Sequence, residues 1–117
     1  MSDDPVRRAL DRLTRVTGVR GAMVVDAEAG VPVASELSTG VDETALAALA
    51  GSIYRRTQDA STASGFGRVR SVQLESRGGH LLVAGAGALL IVALAEPSAQ
   101  LGMVRVEAGR AAGELNA

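Results

Sequence analysis

GVRGAMVVDAEAGVPVAS, residues 18–35, decides how the chain must fold. Gly18 suits the left-handed position that closes a helix. The run Ala22, Met23, Val24, Val25 has the length of a buried strand. The turn from Asp26 to Gly30 then fits a hairpin with a longer loop. The return segment VPVAS carries Pro32, which cannot donate a ladder hydrogen bond, so this second strand belongs at a sheet edge. The reading is a helix, a central strand and an edge strand. The rest of the chain must supply the other side of the sheet.

Upstream, Asp4 and Pro5 make a helix start, a capping carboxylate followed by proline at the first helical position. Val6, Leu10, Leu13 and Val16 recur at helical spacing and predict a helix over about residues 5–17. Arg7, Arg8, Arg12 and Arg15 fall mostly off that stripe and, with Asp11 among them, read as a solvated face. Downstream, Asp42 caps a second helix over about residues 43–60, with Leu46, Leu49 and Ile53 as its core stripe. Ala45, Ala47, Ala48, Ala50, Gly51 and Ser52 leave much of its remaining circumference without large side chains. Alanine chosen for helix propensity is one explanation. Gly51, which costs roughly 1 kcal/mol relative to alanine, favours the other: a docking face for a second helix or a partner.

RVRSVQLES, residues 68–76, alternates, with Val72 and Leu74 opposite Val69, Ser71, Gln73 and Glu75. A hairpin turn at residues 77–80 leads into HLLVAGA, and a second turn into ALLIVALA, residues 88–95. That last run is apolar on both faces, so it is central and covered on both sides. Ser98 offers a cap for a third helix whose Leu101, Val104, Ala108, Ala111 and Leu115 share one side. Gly102, Gly109 and Gly113 share another stripe, expected to mark a close approach to the sheet. The order αββαβββα makes a three-layer α+β sandwich around an antiparallel sheet, one domain over residues 1–117 without repeat or linker.

Composition narrows the function. At 117 residues the chain can build a core without disulfides or metal staples, and it has no cysteine for either. A net charge of −1 with interspersed signs, and Tyr54 and Phe66 as the only aromatics, argue against a nucleic-acid partner. The opening MSDDPVRRAL lacks an apolar signal core, and no apolar run reaches the ~18 residues of a membrane span. The expectation is a cytoplasmic protein with no membrane partner. His80 sits beside a hairpin turn with no cysteine or carboxylate at ligand spacing, which suits a structural or exposed role. The clusters GFG, GG and GAG are turns; a chain without lysine has no GxxxxGK[ST] loop. Asp26 and Glu28 merely share a hairpin loop. We therefore expect no catalytic residues, metal, cofactor or small-molecule substrate, and look for function in a surface.

The element order, the TGVRGAMVVD opening with its edge strand VPVA, the small-residue second helix, GFG before the third strand and the closing LGMVRVEAGRAAGEL together carry a resemblance. The chain resembles the Roadblock/dynein-light-chain family over residues 6–115, and within it the bacterial gliding-motility regulators. The resemblance implies a five-stranded antiparallel sheet in order 2-1-5-4-3, with the second helix on one face and the terminal helices on the other. It also implies a homodimer, with third strands paired and second helices side by side, that regulates a Ras-like small GTPase. Val69, Ser71, Val72 and Leu74 with Ala45 would then form the dimer interface. Ala47, Ala48, Gly51, Ser52 and Arg55 would meet the GTPase, although the same small residues serve equally for helix packing within the dimer. The residues themselves add that 68–76 is a long edge without proline or lysine, of the kind that aggregates unless paired. Arg68, Arg70 and Glu75 argue the other way, since charges also protect edges. A structural adaptor with no effect on nucleotide turnover is the alternative. A small-ligand sensor is disfavoured by the shortage of aromatics.

Overall fold

The computed structural model describes residues 4–116; the first three residues of the MSDDPVRRAL opening and the final residue lie outside it. The elements run α1 (Pro5–Thr14), β1 (Val19–Asp26), β2 (Pro32–Leu37), α2 (Glu43–Ala63), β3 (Ser71–Ser76), β4 (Gly79–Ala86), β5 (Leu89–Ala95) and α3 (Leu101–Leu115). The strands form one antiparallel sheet in the order β2-β1-β5-β4-β3, as expected.

Strand alternation divides the core in two. Ala22, Val24, Leu82, Ala84, Ile91 and Ala93 point toward α1 and α3. Met23, Val25, Leu81, Val83, Leu90 and Val92 point toward α2. Val24, Val25, Leu90, Ile91 and Val92 are all essentially inaccessible, and each such side chain contributes roughly 1.5–3 kcal/mol of apolar burial. Both faces of β5 are thereby covered. Pro32 sits on the edge strand opposite Val25, where the pairing register slips, so its missing N–H spares the ladder.

Asp4 caps α1 by accepting from the Val6 N–H at 2.9 Å, and Pro5 begins the helix. The helix stops at Thr14, short of residue 17. The Thr14 hydroxyl reaches back to the Leu10 carbonyl, and the chain unwinds through Val16 to Gly18, whose φ of +89° turns it into β1. The α1 arginines are not simply a solvated face. Arg7 pairs with Asp11 and Glu36, and Arg12 bridges to Glu107 at 3.3 Å and to Glu114, tying α1 to α3. The hydrogen bond that Arg12 donates to Glu107 leads the influences that raise the Arg12 pKa, with the charge of Glu114 adding to it.

Three further expectations change. Leu49, expected in the core stripe of α2, is 45 % exposed; the buried positions are Leu46, Ala47, Ala50 and Gly51. The helix is rolled so that Gly51 meets the β1–β2 turn, where the Gly30 backbone leaves no room for a large side chain. Gly102, Gly109 and Gly113 face outward, and a Cβ added at any of them meets nothing within 4 Å. α3 lies on the sheet through Val104, Ala108, Ala111 and Ala112 instead. Its cap position is Gln100, which makes no side-chain cap bond, and not Ser98.

Candidate functional site

The α2 side of the sheet is where the sequence-derived candidates gather. Asp42 caps the helix through the Ala45 N–H at 3.0 Å. Further along, α2 crosses the β1–β2 hairpin at very close range. A Cβ added to Gly51 would stand 3.1 Å from the Gly30 Cα and 3.0 Å from the Arg55 guanidinium. Arg55 reaches over this crossing and donates to the carbonyls of Ala27 (3.3 Å) and Glu28 (3.4 Å). The hairpin is thus clamped to the helix by apposed glycines and one arginine.

That geometry sorts the expected contact residues. Ala47 is 0 % exposed and Gly51 is buried, both within this protomer, so neither presents a side-chain surface to a partner or to a second copy. Ala48 is exposed, Ser52 is half-buried, and Arg55 is exposed but already engaged by the hairpin. Ala45 is exposed and continues the same outward stripe, to which Leu49 adds a large apolar side chain. Ala47 and Ala48 look alike in sequence. Only the roll of the helix separates them.

The second candidate surface is the β3 edge. The strand begins at Ser71 and not at residue 68, because α2 captures the chain before it can pair. The Tyr54 hydroxyl donates to the Val69 carbonyl at 2.6 Å, and the Val69 N–H donates to Gln58 Oε1 at 2.9 Å. Val69 therefore spends both backbone groups on α2 and offers none to a neighbouring strand. Ser71 is exposed, Val72 half-buried and Leu74 41 % exposed. Val72 and Leu74 lie opposite Val83 and Leu81, so they stand on the α2 face beside the outward stripe of the helix. Ser71, Gln73 and Glu75 fall on the opposite face.

Between the two surfaces sits a residue that sequence reasoning passed over. Phe66, the only phenylalanine, is 86 % exposed. Its backbone is held, with the Phe66 N–H donating to the Ser61 carbonyl at 2.9 Å and the Ser61 hydroxyl to the Gly67 carbonyl at 2.6 Å. Flanking glycines were the only signal, and they read as a turn.

His80 is buried in β4, with Nε2 3.3 Å from the Pro97 carbonyl. Among the described residues, no group of three or more His, Cys, Asp or Glu side chains is arranged to hold a metal ion. No helix among them is long and apolar enough to cross a membrane.

The Roadblock/LC7 domain matches residues 6–95, which span both candidate surfaces. The chain belongs to the Roadblock/LC7 family. An uncharacterised protein of Methanocaldococcus jannaschii is 30 % identical over 117 residues, covering 100 % of this chain and 98 % of that protein. Among solved structures, Myxococcus xanthus MglB superposes with a TM-score of 0.86 at 21 % identity, covering 99 % of this chain and 95 % of the other. The gliding protein MglB of Thermus thermophilus gives 0.81 at 26 % identity, covering 99 % and 91 %. These likenesses agree with a GTPase-associated regulatory or adaptor role for this Roadblock/LC7 chain.

Proposed function

We propose that this chain is a homodimeric, non-enzymatic regulator of a small Ras-like GTPase, acting in the cytoplasm, with the GTPase seated on the outward stripe of α2. The observation that carries the reading is the exposed ridge of Ala45, Ala48, Leu49 and Ser52, which lies beside an unpaired sheet edge. A ridge with few long side chains loses little rotamer entropy on binding and lets a partner come close to the backbone. Two copies joined at β3 would set two such ridges side by side as one platform.

The regulator works by reshaping the switch segments of the GTPase and supplies no arginine to the phosphates. Arg55 is occupied by the hairpin carbonyls, and its withdrawal would unclamp the protein's own fold. An inserted arginine is worth about 10³–10⁵ in turnover where one is used, so the alternative is measurable. The test is a binding titration and a GTP-turnover assay with a small GTPase recovered by pulldown from the native cytosol. Ala48→Arg, on the exposed ridge, should leave the fold and dimer intact and weaken GTPase binding at least tenfold, about 1.4 kcal/mol. Parent-like binding by this variant would move the contact elsewhere. Tight binding by the parent with no change in turnover or exchange would assign the adaptor role.

A further inference from the structure

The other side of the sheet holds a groove that reaches the start of the β3 edge at Val69 and Ser71 but lies away from the α2 ridge. It has a volume of about 540 Å³. That is within the usual ~300–1,000 Å³ of small-molecule sites. One wall is α3, at Arg105, Gly109 and Gly113; the other is the segment from Arg68 to Ser71 that leads into β3. Leu82 and Ala84 of β4 form the floor, and the Tyr54 phenol closes one end. We infer that this groove binds an amphiphilic anion, a short apolar chain ending in a carboxylate or phosphate.

Charge is the first argument. Arg68, Arg70 and Arg105 line the groove, and no aspartate or glutamate does. All three are exposed, and none forms an ion pair among the described residues. Arg7, Arg12 and Arg110, by contrast, each pair with a carboxylate of this chain. A chain with a net charge of −1 has carboxylates to spare, yet leaves this corner cationic. Guanidinium forks match carboxylate and phosphate oxygens bidentately.

Shape is the second. Gly109 and Gly113 sit inside α3, where glycine is a poorer helix former than alanine. Neither is needed for packing, since a Cβ at either position meets nothing within 4 Å. Their effect is to keep the α3 wall flat and the groove open. Leu82, Ala84, Ala108 and Ala112 give an apolar floor, and besides the arginines only Ser71, Asn116 and Tyr54, whose hydroxyl already donates to Val69, bring polar side chains to the lining. An apolar chain fits the aliphatic floor, and a single charged end fits the three arginines.

The experiment is calorimetric titration of the full chain with sodium octanoate and octyl phosphate, with 1-octanol and inorganic phosphate as half-ligand controls. Tyr54, the only tyrosine in a chain without tryptophan, gives a second readout through its emission. Saturable octanoate or octyl phosphate binding is expected, at least tenfold tighter than 1-octanol or phosphate alone. Arg105→Gln should weaken it at least tenfold. Gly109→Leu fills the groove with a better helix former, so it should abolish binding while melting at or above the parent temperature. No saturable binding by the parent, parent-like affinity in both variants, or 1-octanol binding as well as octanoate would each overturn the inference. So would attachment to anionic phosphatidylglycerol vesicles without any binding of the soluble probes. The groove lies across the sheet from the α2 ridge, so either reading can fail without the other.

Discussion

Tyr54 shows how much one side chain can hold. Its ring packs against the α2-side core, and its hydroxyl passes β4 at Gly85, where an added Cβ would lie 2.2 Å from the oxygen. The hydroxyl then donates to Val69 and sets where β3 can begin. Burial raises the Tyr54 pKa above its ordinary value near 10, with the nearby charge of Arg68 opposing. The folded chain therefore holds this proton more tightly than the unfolded chain does. Stability from this source is fully present below about pH 10 and is lost as pH rises through the folded value. The chain has no lysine or cysteine and one tyrosine, so little else titrates there. Tyr54→Phe should lose about 1–2 kcal/mol at neutral pH, from the missing hydrogen bond and the orphaned Val69 carbonyl. It should also flatten the alkaline decline. Urea unfolding of both proteins at about pH 7, 9 and 10.5 measures both effects. Equal slopes above about pH 9 would assign the decline to another group.

α2 makes the case for an element. Its identity as a helix follows from Asp42, the run of alanines and the leucine spacing, but its seating follows from contact. Gly51 against Gly30 lets the helix axis approach the hairpin, and Arg55 closes over the crossing. Replacing Gly51 with leucine adds helix propensity of up to about 1 kcal/mol but drives a branched side chain into the Gly30 backbone. Overpacking should win, with a net loss of about 1–3 kcal/mol. Ala60→Leu, on the exposed side of the same helix, should stay within about 0.5 kcal/mol of the parent. Chemical denaturation of the two variants separates seating from propensity. A Gly51→Leu protein as stable as the parent would mean that the hairpin yields freely.

For the molecule as a whole, the two sheet edges are unlike. β2 is protected by Pro32 and a register slip. β3 is regular over its six residues, lacks proline and bears Leu74 at 41 % exposure. An edge of this kind is expected to pair with the same edge of a second copy, which leaves the α2 ridge open to a partner. Light scattering after gel filtration should report twice the chain mass at micromolar concentration. Leu74→Lys places a charge on that edge and should give a folded monomer. A monomeric parent, or an unchanged dimer in the variant, would rule out β3 as the joint. The Val69 backbone, committed to α2, would add no hydrogen bond to such a joint.

Much of this architecture was legible before any coordinates. Pro32 declared an edge, the double-sided apolar run of β5 declared a centre, and Asp4 with Asp42 declared two helix starts. Each of these is a local rule in which the residue acts on its own backbone or its own strand. The misses share a different origin. Ala47 and Ala48, or Gly51 and Gly109, cannot be told apart by composition, since a small residue is equally suited to a tight contact and to an open groove. Arg12 and Arg68 likewise look alike until Glu107 is found beside one and no carboxylate beside the other. The chain's local chemistry chose its helices, strands and their order. Which faces turned inward, and which charges were left without a partner, depended on distances between residues far apart in the chain, and only the packed sheet and helices set those distances.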